Sequence, residues 1–197
     1  MTPTEPLASE KTEFHTLHGL DFYKWLNHLI NKPVMGLELG VGAGESAEWM
    51  LEHIFTHEDA RYHGVDTFEG SDEDRPGGVD SLGLEAELRA KLERFGHRAQ
   101  IFKCRTSDSM LSMFRDQRFD FVYVDASRDS MNVLRDSLLA FELLKADGIM
   151  VWNAYEWDVM EQAIDRPKMA IESFLNCFAR RLEVIGVGSQ IAVRKTG

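Results

Sequence analysis

The sequence predicts an α/β fold, in which a mostly parallel sheet carries helices on both faces. Short apolar runs alternate with segments of helical periodicity along almost the whole chain, which is the pattern of successive β-α-β units. A glycine-rich turn follows the first apolar run. The last two apolar runs are separated by Gly188 and Ser189, which indicates a hairpin and therefore an antiparallel strand at the end of the sheet.

Each element has its own local signal. Leu20, Phe22, Leu26 and Leu29 recur at helical spacing in a first helix, which stops before Pro33. The apolar runs predict seven strands: VMGLELG, RYHGVD, AQIFKC, FDFVYVD, DGIMVWN, LEVIGV and QIAVRK. The helices between them are ESAEWMLEHIF, LEAELRAKLERFG, SDSMLSMF with Ser107 as its cap, SMNVLRDSLLAFELL with Ser127 or Asp129 as its cap, and PKMAIESFLNCFA.

Length and composition predict one globular domain over residues 13–197 behind a flexible tail, residues 1–12. No apolar run approaches the roughly 20 residues of a membrane span, and the N-terminus lacks the apolar centre of a signal peptide. Cys104 and Cys177 form no disulfide or metal pattern, so we expect a cytoplasmic protein. The net charge of −11 would repel a polyanion, which argues against a nucleic-acid partner.

The glycine turn, LELGVGAGES, lies where an open α/β sheet binds nucleotide-like ligands. Its glycines, Gly40, Gly42 and Gly44, have the spacing G-x-G-x-G, whereas the dinucleotide fingerprint is G-x-G-x-x-G. Glu45 occupies the position of the fingerprint's third glycine, where a carboxylate is poorly placed for a pyrophosphate. It is acceptable beside a ligand that carries an amine. A turn that binds no ligand is the alternative interpretation.

Two acids strengthen the case for a ligand. Glu38 lies inside the first strand, where a carboxyl group is costly unless it reaches a polar partner or a cleft. Asp66 ends the second strand, and an acid there can accept hydrogen bonds from ribose hydroxyls, although it could also cap a turn. Together these features favour an adenosine-containing cofactor. An NAD-dependent oxidoreductase is therefore one hypothesis, disfavoured by the glycine spacing and the terminal hairpin.

Consecutive motifs carry a resemblance to a known family. LELGVGAGES, GVDTFEG, CRTSDS, FDFVYVDAS and LLKADGIMVWNAY resemble the motifs of class I S-adenosylmethionine (SAM)-dependent methyltransferases, and in particular a small bacterial-type, methyltransferase-24-like subfamily. The resemblance spans about residues 34 to 195. It implies a Rossmann-like, doubly wound sheet of seven strands, mostly parallel, with the antiparallel last strand inserted beside the fifth. It also implies SAM as the cofactor.

The resemblance assigns cofactor roles by position. Glu38 would lie near the sulfonium and amino group of SAM, and Asp66 would bind the ribose hydroxyls. Thr67 and Phe68 would lie against the adenine, with Ser107 and Asp108 at its edge. The full implied cofactor set is Glu38, Gly40, Val41, Gly42, Gly44, Ser46, Asp66, Thr67, Phe68, Ser107, Asp108, Asp125 and Ala126.

The acceptor side departs from the relatives. The relatives have D-G-x-H after the fourth strand and D-D-Y after the fifth, whereas this chain has Asp125 with Arg128, and Asn153 with Tyr155. Arg128 cannot act as a base, since it stays protonated. Asp125 and Asn153 alone are few ligands for a hard divalent cation, so a catalytic metal is the less favoured alternative. Asp125, Arg128, Asn153 and Tyr155 are the candidate catalytic residues.

These features lead to a function hypothesis. We expect methyl transfer from SAM to a small-molecule acceptor, with a hydroxyl oxygen as the favoured target. A SAM-binding protein that has lost catalysis and acts as a sensor or partner subunit is the second hypothesis, because the relatives' histidine and second acid are missing. The fold also permits a homodimer.

The acidic, Gly- and Pro-rich segment 69–83 is interpreted either as a lid over the substrate or as a plain solvated loop.

Overall fold

The structure, a computed structural model, describes residues 18–69, 81–159 and 161–197. Its centre is a seven-stranded sheet with the order β3-β2-β1-β4-β5-β7-β6. The strands are β1 Met35–Leu39, β2 Arg61–Asp66, β3 Ala99–Lys103, β4 Phe119–Val124, β5 Leu144–Trp152, β6 Leu182–Val187 and β7 Ile191–Lys195. β1 to β5 pair in parallel, whereas β7 runs antiparallel to both β5 and β6. The predicted fold class and the terminal hairpin are confirmed.

Six helices of the described chain surround the sheet. They are α1 Gly19–Leu26, α2 Glu45–His53, α3 Ser81–Leu92, α4 Thr106–Asp108, α5 Ser130–Leu143 and α6 Pro167–Phe178, with 3₁₀ turns at Asn27–Leu29, Glu93–Arg98 and Ala163–Asp165 and a π turn at Ser109–Met113. None of these helices is long and apolar enough to cross a membrane. The tail predicted for residues 1–12 lies outside the described residues, as does most of the segment 69–83 that is interpreted as a lid or a solvated loop.

The two capping predictions had different outcomes. Asp129 caps α5, since its carboxylate accepts a hydrogen bond from the amide of Asn132 at 3.1 Å. Ser107 does not cap the helix after β3, because α4 already begins at Thr106 and Ser107 lies inside it. The hydroxyl of Thr106 instead donates to the buried carboxylate of Asp136 on α5, at 2.9 Å. The residue at the cap position is Arg105, two residues earlier than the predicted Ser107.

The core lies on both faces of the sheet. Residues 121–124 of β4 alternate between the two faces: Phe121 and Tyr123 join one buried cluster, whereas Val122 and Val124 join the other. Trp152 at the end of β5 is completely buried. Such double-sided burial is characteristic of the central strands of a parallel sheet, and it holds the strand ends in fixed positions.

The strand order places the site. β1 pairs with β2 on one side and with β4 on the other, so the order reverses between β1 and β4. Open α/β sheets bind ligands at such a switch point, outside the carboxyl ends of the strands. Backbone bonds continue the pairing past the strand ends: the amides of Gly40, Asp125 and Asn153 donate to Val65, Leu39 and Val124, respectively, at 2.8, 2.8 and 3.1 Å. The three residues therefore lie side by side at one edge of the sheet.

Candidate active site

The glycine loop between β1 and α2 needs glycine for different reasons at different positions. Gly40, Gly42 and Gly44 have φ angles of 89°, 52° and 77°, in the left-handed region that favours glycine. A Cβ atom on Gly40 would lie 2.5 Å from Cα of Ala126, so the loop passes directly over the end of β4. A Cβ atom on Gly44 would lie 2.1 Å from Cδ1 of Leu88 on α3. At Gly42 a Cβ atom would meet no atom of the described residues within 4 Å, so this part of the backbone borders open space among them.

Asp66 ties the glycine loop to β2. One carboxylate oxygen accepts the amide of Gly42 at 2.9 Å, and the other accepts the amide of Phe68 at 2.8 Å. The carboxylate therefore lies beside the open part of the loop. Each oxygen keeps a lone pair, which leaves room for the predicted contacts to ribose hydroxyls. Those contacts stay a prediction.

Glu38 lies beneath the loop and has no exposed surface. Its two carboxyl oxygens are hydrogen-bonded to the hydroxyls of Ser46, on α2, and Tyr62, on β2. Burial raises the pKa of Glu38 to about 8, although these two hydrogen bonds oppose the rise. The carboxyl group thus joins β1, β2 and α2 under the loop, and its predicted proximity to the sulfonium is untested.

The acceptor side centres on Asp125, at the carboxyl end of β4. Its Oδ1 accepts hydrogen bonds from Nη1 of Arg128 and Nδ2 of Asn153, both at 2.9 Å. Burial raises the pKa of Asp125, whereas the charge of Arg128 and the hydrogen bond from Asn153 oppose the rise. About a fifth of the Asp125 side chain, 19%, is exposed, so the group reaches the surface at the carboxyl end of β4.

Gln190, in the turn between β6 and β7, completes this network. It is 3% exposed, and its Nε2 donates to Oδ1 of Asn153 at 3.2 Å and to the hydroxyl of Tyr123 at 2.9 Å. The amide of Asn153 is therefore fixed, with its oxygen toward Gln190 and its nitrogen toward Asp125. Gln190 was not among the predicted site residues, because it follows the Gly188-Ser189 turn with no local pattern that marks a site.

Tyr155 faces a different neighbour. Its hydroxyl donates to Oε1 of Glu172 on α6 at 3.0 Å, and Nζ of Lys168 lies 5.0 Å from the centre of its ring. Its amide donates to the carbonyl of Ser189 at 3.0 Å, which fixes the chain after β5 against the hairpin turn. These contacts bind Tyr155 to α6, whereas Arg128 and Asn153 both bond to Asp125. Its predicted role toward the acceptor is untested.

The residues predicted for the adenine side are spread over two loops. Phe68 has a φ of 54° and is only 2% exposed, and its ring packs into the core with Nζ of Lys103 5.9 Å from its centre. Thr67 accepts the amide of Glu69 at 3.3 Å. Ser107 and Asp108 belong to α4, which follows the neighbouring strand β3. The segments after β2 and β3 both begin at the same edge of the sheet. The contacts of these residues to an adenine stay a prediction.

The acceptor-side residues do not fit a divalent cation. The side-chain oxygen of Asn153 accepts from Gln190, and its side-chain nitrogen, which cannot ligate, faces Asp125. The guanidinium of Arg128 already places a positive charge on Asp125. Within the described ranges no group of three or more His, Cys, Asp or Glu side chains could hold a metal ion. Hard cations prefer carboxylate oxygens, and the carboxylate of Asp125 is already paired with the Arg128 guanidinium.

Comparison with known sequences identifies the family. A family model described as a methyltransferase domain matches residues 37–155, which are 119 of the 197 residues. The chain belongs to this family. The match runs from Leu37 on β1 to Tyr155, so it includes the glycine loop, Asp66 and Asp125. The class I methyltransferase that the motifs resemble is confirmed. No functionally curated protein matches the sequence.

Solved methyltransferase structures share the fold. An O-methyltransferase from Bacillus cereus in complex with S-adenosylhomocysteine (SAH) superposes with a TM-score of 0.62 at 18% identity, covering 90% of this chain and 78% of that one. The O-methyltransferase TomG from Streptomyces achromogenes, in complex with SAM, gives 0.65 at 16% identity, with 95% and 83% covered. An rRNA methylase from Streptococcus thermophilus gives 0.60 at 10% identity, with 96% and 100% covered. At these identities the comparison shows a shared fold and does not identify the methyl acceptor of this chain. The acceptor has to be inferred from the site.

Proposed function

We propose that this methyltransferase transfers a methyl group from SAM to a hydroxyl oxygen of a small-molecule acceptor. The observation that carries the proposal is the placement of Asp125 beside the glycine loop: Gly40 passes within contact distance of Ala126, the residue after Asp125. A cofactor along the loop and an acceptor above the ends of β4 and β5 would therefore meet at one point. The SAM- and SAH-bound O-methyltransferases with this fold support the same pairing.

The described residues fit a SAM-like cofactor. The open space beside Gly42 lets a ligand approach the backbone, and Asp66 lies next to it with lone pairs for ribose hydroxyls. Glu38, bonded to Ser46 and Tyr62, supports the loop from below. When bound, SAM supplies a methyl group on a positively charged sulfur, which makes that methyl an electrophile.

Transfer of the methyl group depends more on correct positioning of the acceptor than on strong acid–base groups. Methyl transfer is an in-line displacement, for which correct placement of the nucleophile supplies a large part of the acceleration. Asp125 can accept a hydrogen bond from an acceptor hydroxyl, and Arg128 and Asn153 hold its carboxylate in place. The net charge of −11 argues for a small molecule rather than RNA, despite the likeness in fold to an rRNA methylase.

The first experiment measures cofactor binding by calorimetry with SAM, SAH and NAD. We expect SAM and SAH to bind and NAD not to bind. Absence of SAM binding at millimolar concentration would overturn the cofactor assignment.

The second experiment supplies radiolabelled SAM with a panel of small hydroxyl compounds and of amines, and follows the formation of SAH and labelled product. Transfer to amines but not to hydroxyls would contradict the oxygen target.

A SAM-binding protein without catalysis is the second candidate. It is supported by the same network, because Oδ1 of Asp125 already accepts two hydrogen bonds from within the chain. The two candidates differ in turnover. Binding of SAM with no SAH formed over the panel, while a partner protein changes SAM affinity, would favour the second candidate.

A further inference from the structure

Arg128 is held by one end of its guanidinium. Nη1 donates to Oδ1 of Asp125 at 2.9 Å and lies 3.4 Å from the carbonyl oxygen of the same residue. The side chain is 26% exposed, and Arg128 follows the carboxyl end of β4. Both of its hydrogen bonds thus use a single nitrogen.

The rest of the guanidinium makes no hydrogen bond to the described part of the chain. A guanidinium carries five N–H donors in a planar fork, and within residues 18–69, 81–159 and 161–197 neither Nε nor Nη2 has a hydrogen-bond partner. Three donors are therefore available on the half that points away from Asp125. Such a fork matches the two oxygens of a carboxylate or phosphate and binds them by parallel hydrogen bonds.

The network behind Arg128 fixes its position. Asp125 also accepts from Asn153, and Asn153 accepts from the buried amide of Gln190. The anchor of the guanidinium therefore extends over β4, β5 and the turn before β7. A side chain that is held before the ligand arrives loses less conformational entropy on binding, which favours recognition.

We propose that Arg128 binds a carboxylate or phosphate group of the methyl acceptor, so that the substrate is an anionic hydroxyl compound. The inference rests on the proposed methyl transfer. Asp125 has two functions in this arrangement: it positions the arginine, and its carboxylate repels an anion placed anywhere except on the far side of the guanidinium. The anionic group would thus fix which hydroxyl of the substrate reaches the methyl group.

Matched pairs of probes test the proposal on the full chain with SAH bound. One pair is glucose and glucose 6-phosphate, and the other is 4-hydroxybenzyl alcohol and 4-hydroxybenzoate. Calorimetry gives the affinity of each probe for the wild type, for Arg128→Gln, for Arg128→Lys and for a control, Arg180→Gln, which removes an exposed positive charge at the end of α6. The affinity of each variant for SAH is measured first.

We expect at least one anionic probe to bind about ten- to a hundredfold more tightly than its neutral counterpart, which is the range for hydrogen bonds between charged groups. The preference should disappear in Arg128→Gln, persist in part in Arg128→Lys and be unchanged in Arg180→Gln. Equal affinities within both pairs, or a preference that survives Arg128→Gln, would overturn the proposal, as would failure of both anionic probes to bind at millimolar concentration.

The SAH measurement separates two sources of the anion, since SAM itself carries a carboxylate. Unchanged SAH affinity in Arg128→Gln supports an anion on the acceptor. A tenfold loss of SAH affinity would instead assign Arg128 to the cofactor and overturn the acceptor proposal. If the wild type does not bind SAH, the proposed methyl transfer fails first, and an anion preference measured without SAH shows separately whether Arg128 binds anions.

Discussion

At the residue scale, the carboxyl group of Glu38 makes the stability of the folded protein depend on pH. Its pKa is raised from 4.5 to about 8 by burial. The folded state therefore holds the proton more tightly than the unfolded state does. By linkage, the stability from this group is fully present below pH 4.5 and is lost as the pH rises toward about 8. Above that pH the ionised group remains buried between Ser46 and Tyr62, at a lower stability.

The substitution Glu38→Gln tests this coupling, because glutamine is an uncharged isostere of the protonated acid. The free energy of unfolding of the wild type, relative to the variant, should fall by up to about 1.4 kcal/mol per pH unit between the two pKa values. Above the upper value the variant should be the more stable protein. Urea unfolding at a series of pH values measures the difference, and Glu58→Gln, at an exposed position, controls for the change in net charge. A difference that does not vary with pH would contradict the assignment.

At the element scale, the glycine loop needs Gly44 for packing against α3 and Gly42 for access of a ligand to the backbone. Gly44→Ala combines a left-handed φ with a methyl group 2.1 Å from Leu88, so it should lower the free energy of unfolding by about 2–4 kcal/mol. Gly42→Ala has only the backbone strain, about 1–2 kcal/mol, but its methyl group would enter the open space beside the loop. We therefore expect Gly42→Ala to weaken SAH binding at least tenfold. Denaturation and calorimetry on both variants give the comparison, and wild-type SAH affinity in Gly42→Ala would show that no ligand approaches there.

The end of α5 depends on a lysine from another element. Nζ of Lys195, on β7, donates to the carbonyls of Phe141 and Leu144 at 2.7 and 2.8 Å, and the last carbonyls of a helix have no partner within the helix. Lys195→Met keeps the length of the side chain but leaves both carbonyls without this donor. It should lower the free energy of unfolding by about 1–3 kcal/mol. Lys24→Met, at a side chain that is 69% exposed, is the control in the same urea experiment. Equal stability of the two variants would show that water replaces the lysine.

Elements and site differed in how far the sequence could predict them. The strands, the glycine loop and the hairpin were predictable because their signals are local: apolar runs, G-x-G-x-G and a Gly-Ser turn. Gln190 was not, because its partner Asn153 lies 37 residues away in the chain and becomes a neighbour only through the insertion of β7 beside β5. The bonds of Tyr155 to α6 had no sequence signal for the same reason. Side-chain partners across elements depend on register, which a single sequence does not encode locally.

At the scale of the whole molecule, one continuous sheet separates the two buried clusters. The central strands contribute side chains to both clusters. Both clusters therefore depend on the same strands, and if those strands lose their structure the packing is lost on both faces. We therefore expect a single cooperative unfolding transition, in which the site and the core are lost together. A ligand that binds only the folded site should then stabilise the entire chain.

This expectation can be tested with SAH in a thermal scan. At about 100 times its dissociation constant, a ligand specific for the folded state adds ~2.7 kcal/mol to the free energy of unfolding. For a chain of this size that corresponds to a rise in Tm of roughly 5–10 °C. NAD at the same concentration should leave Tm unchanged. Asp66→Ala removes the acceptor of the Gly42 and Phe68 amides and should abolish the shift at that SAH concentration. Two separate transitions, of which only one moves with SAH, would show that the site unfolds independently of the core.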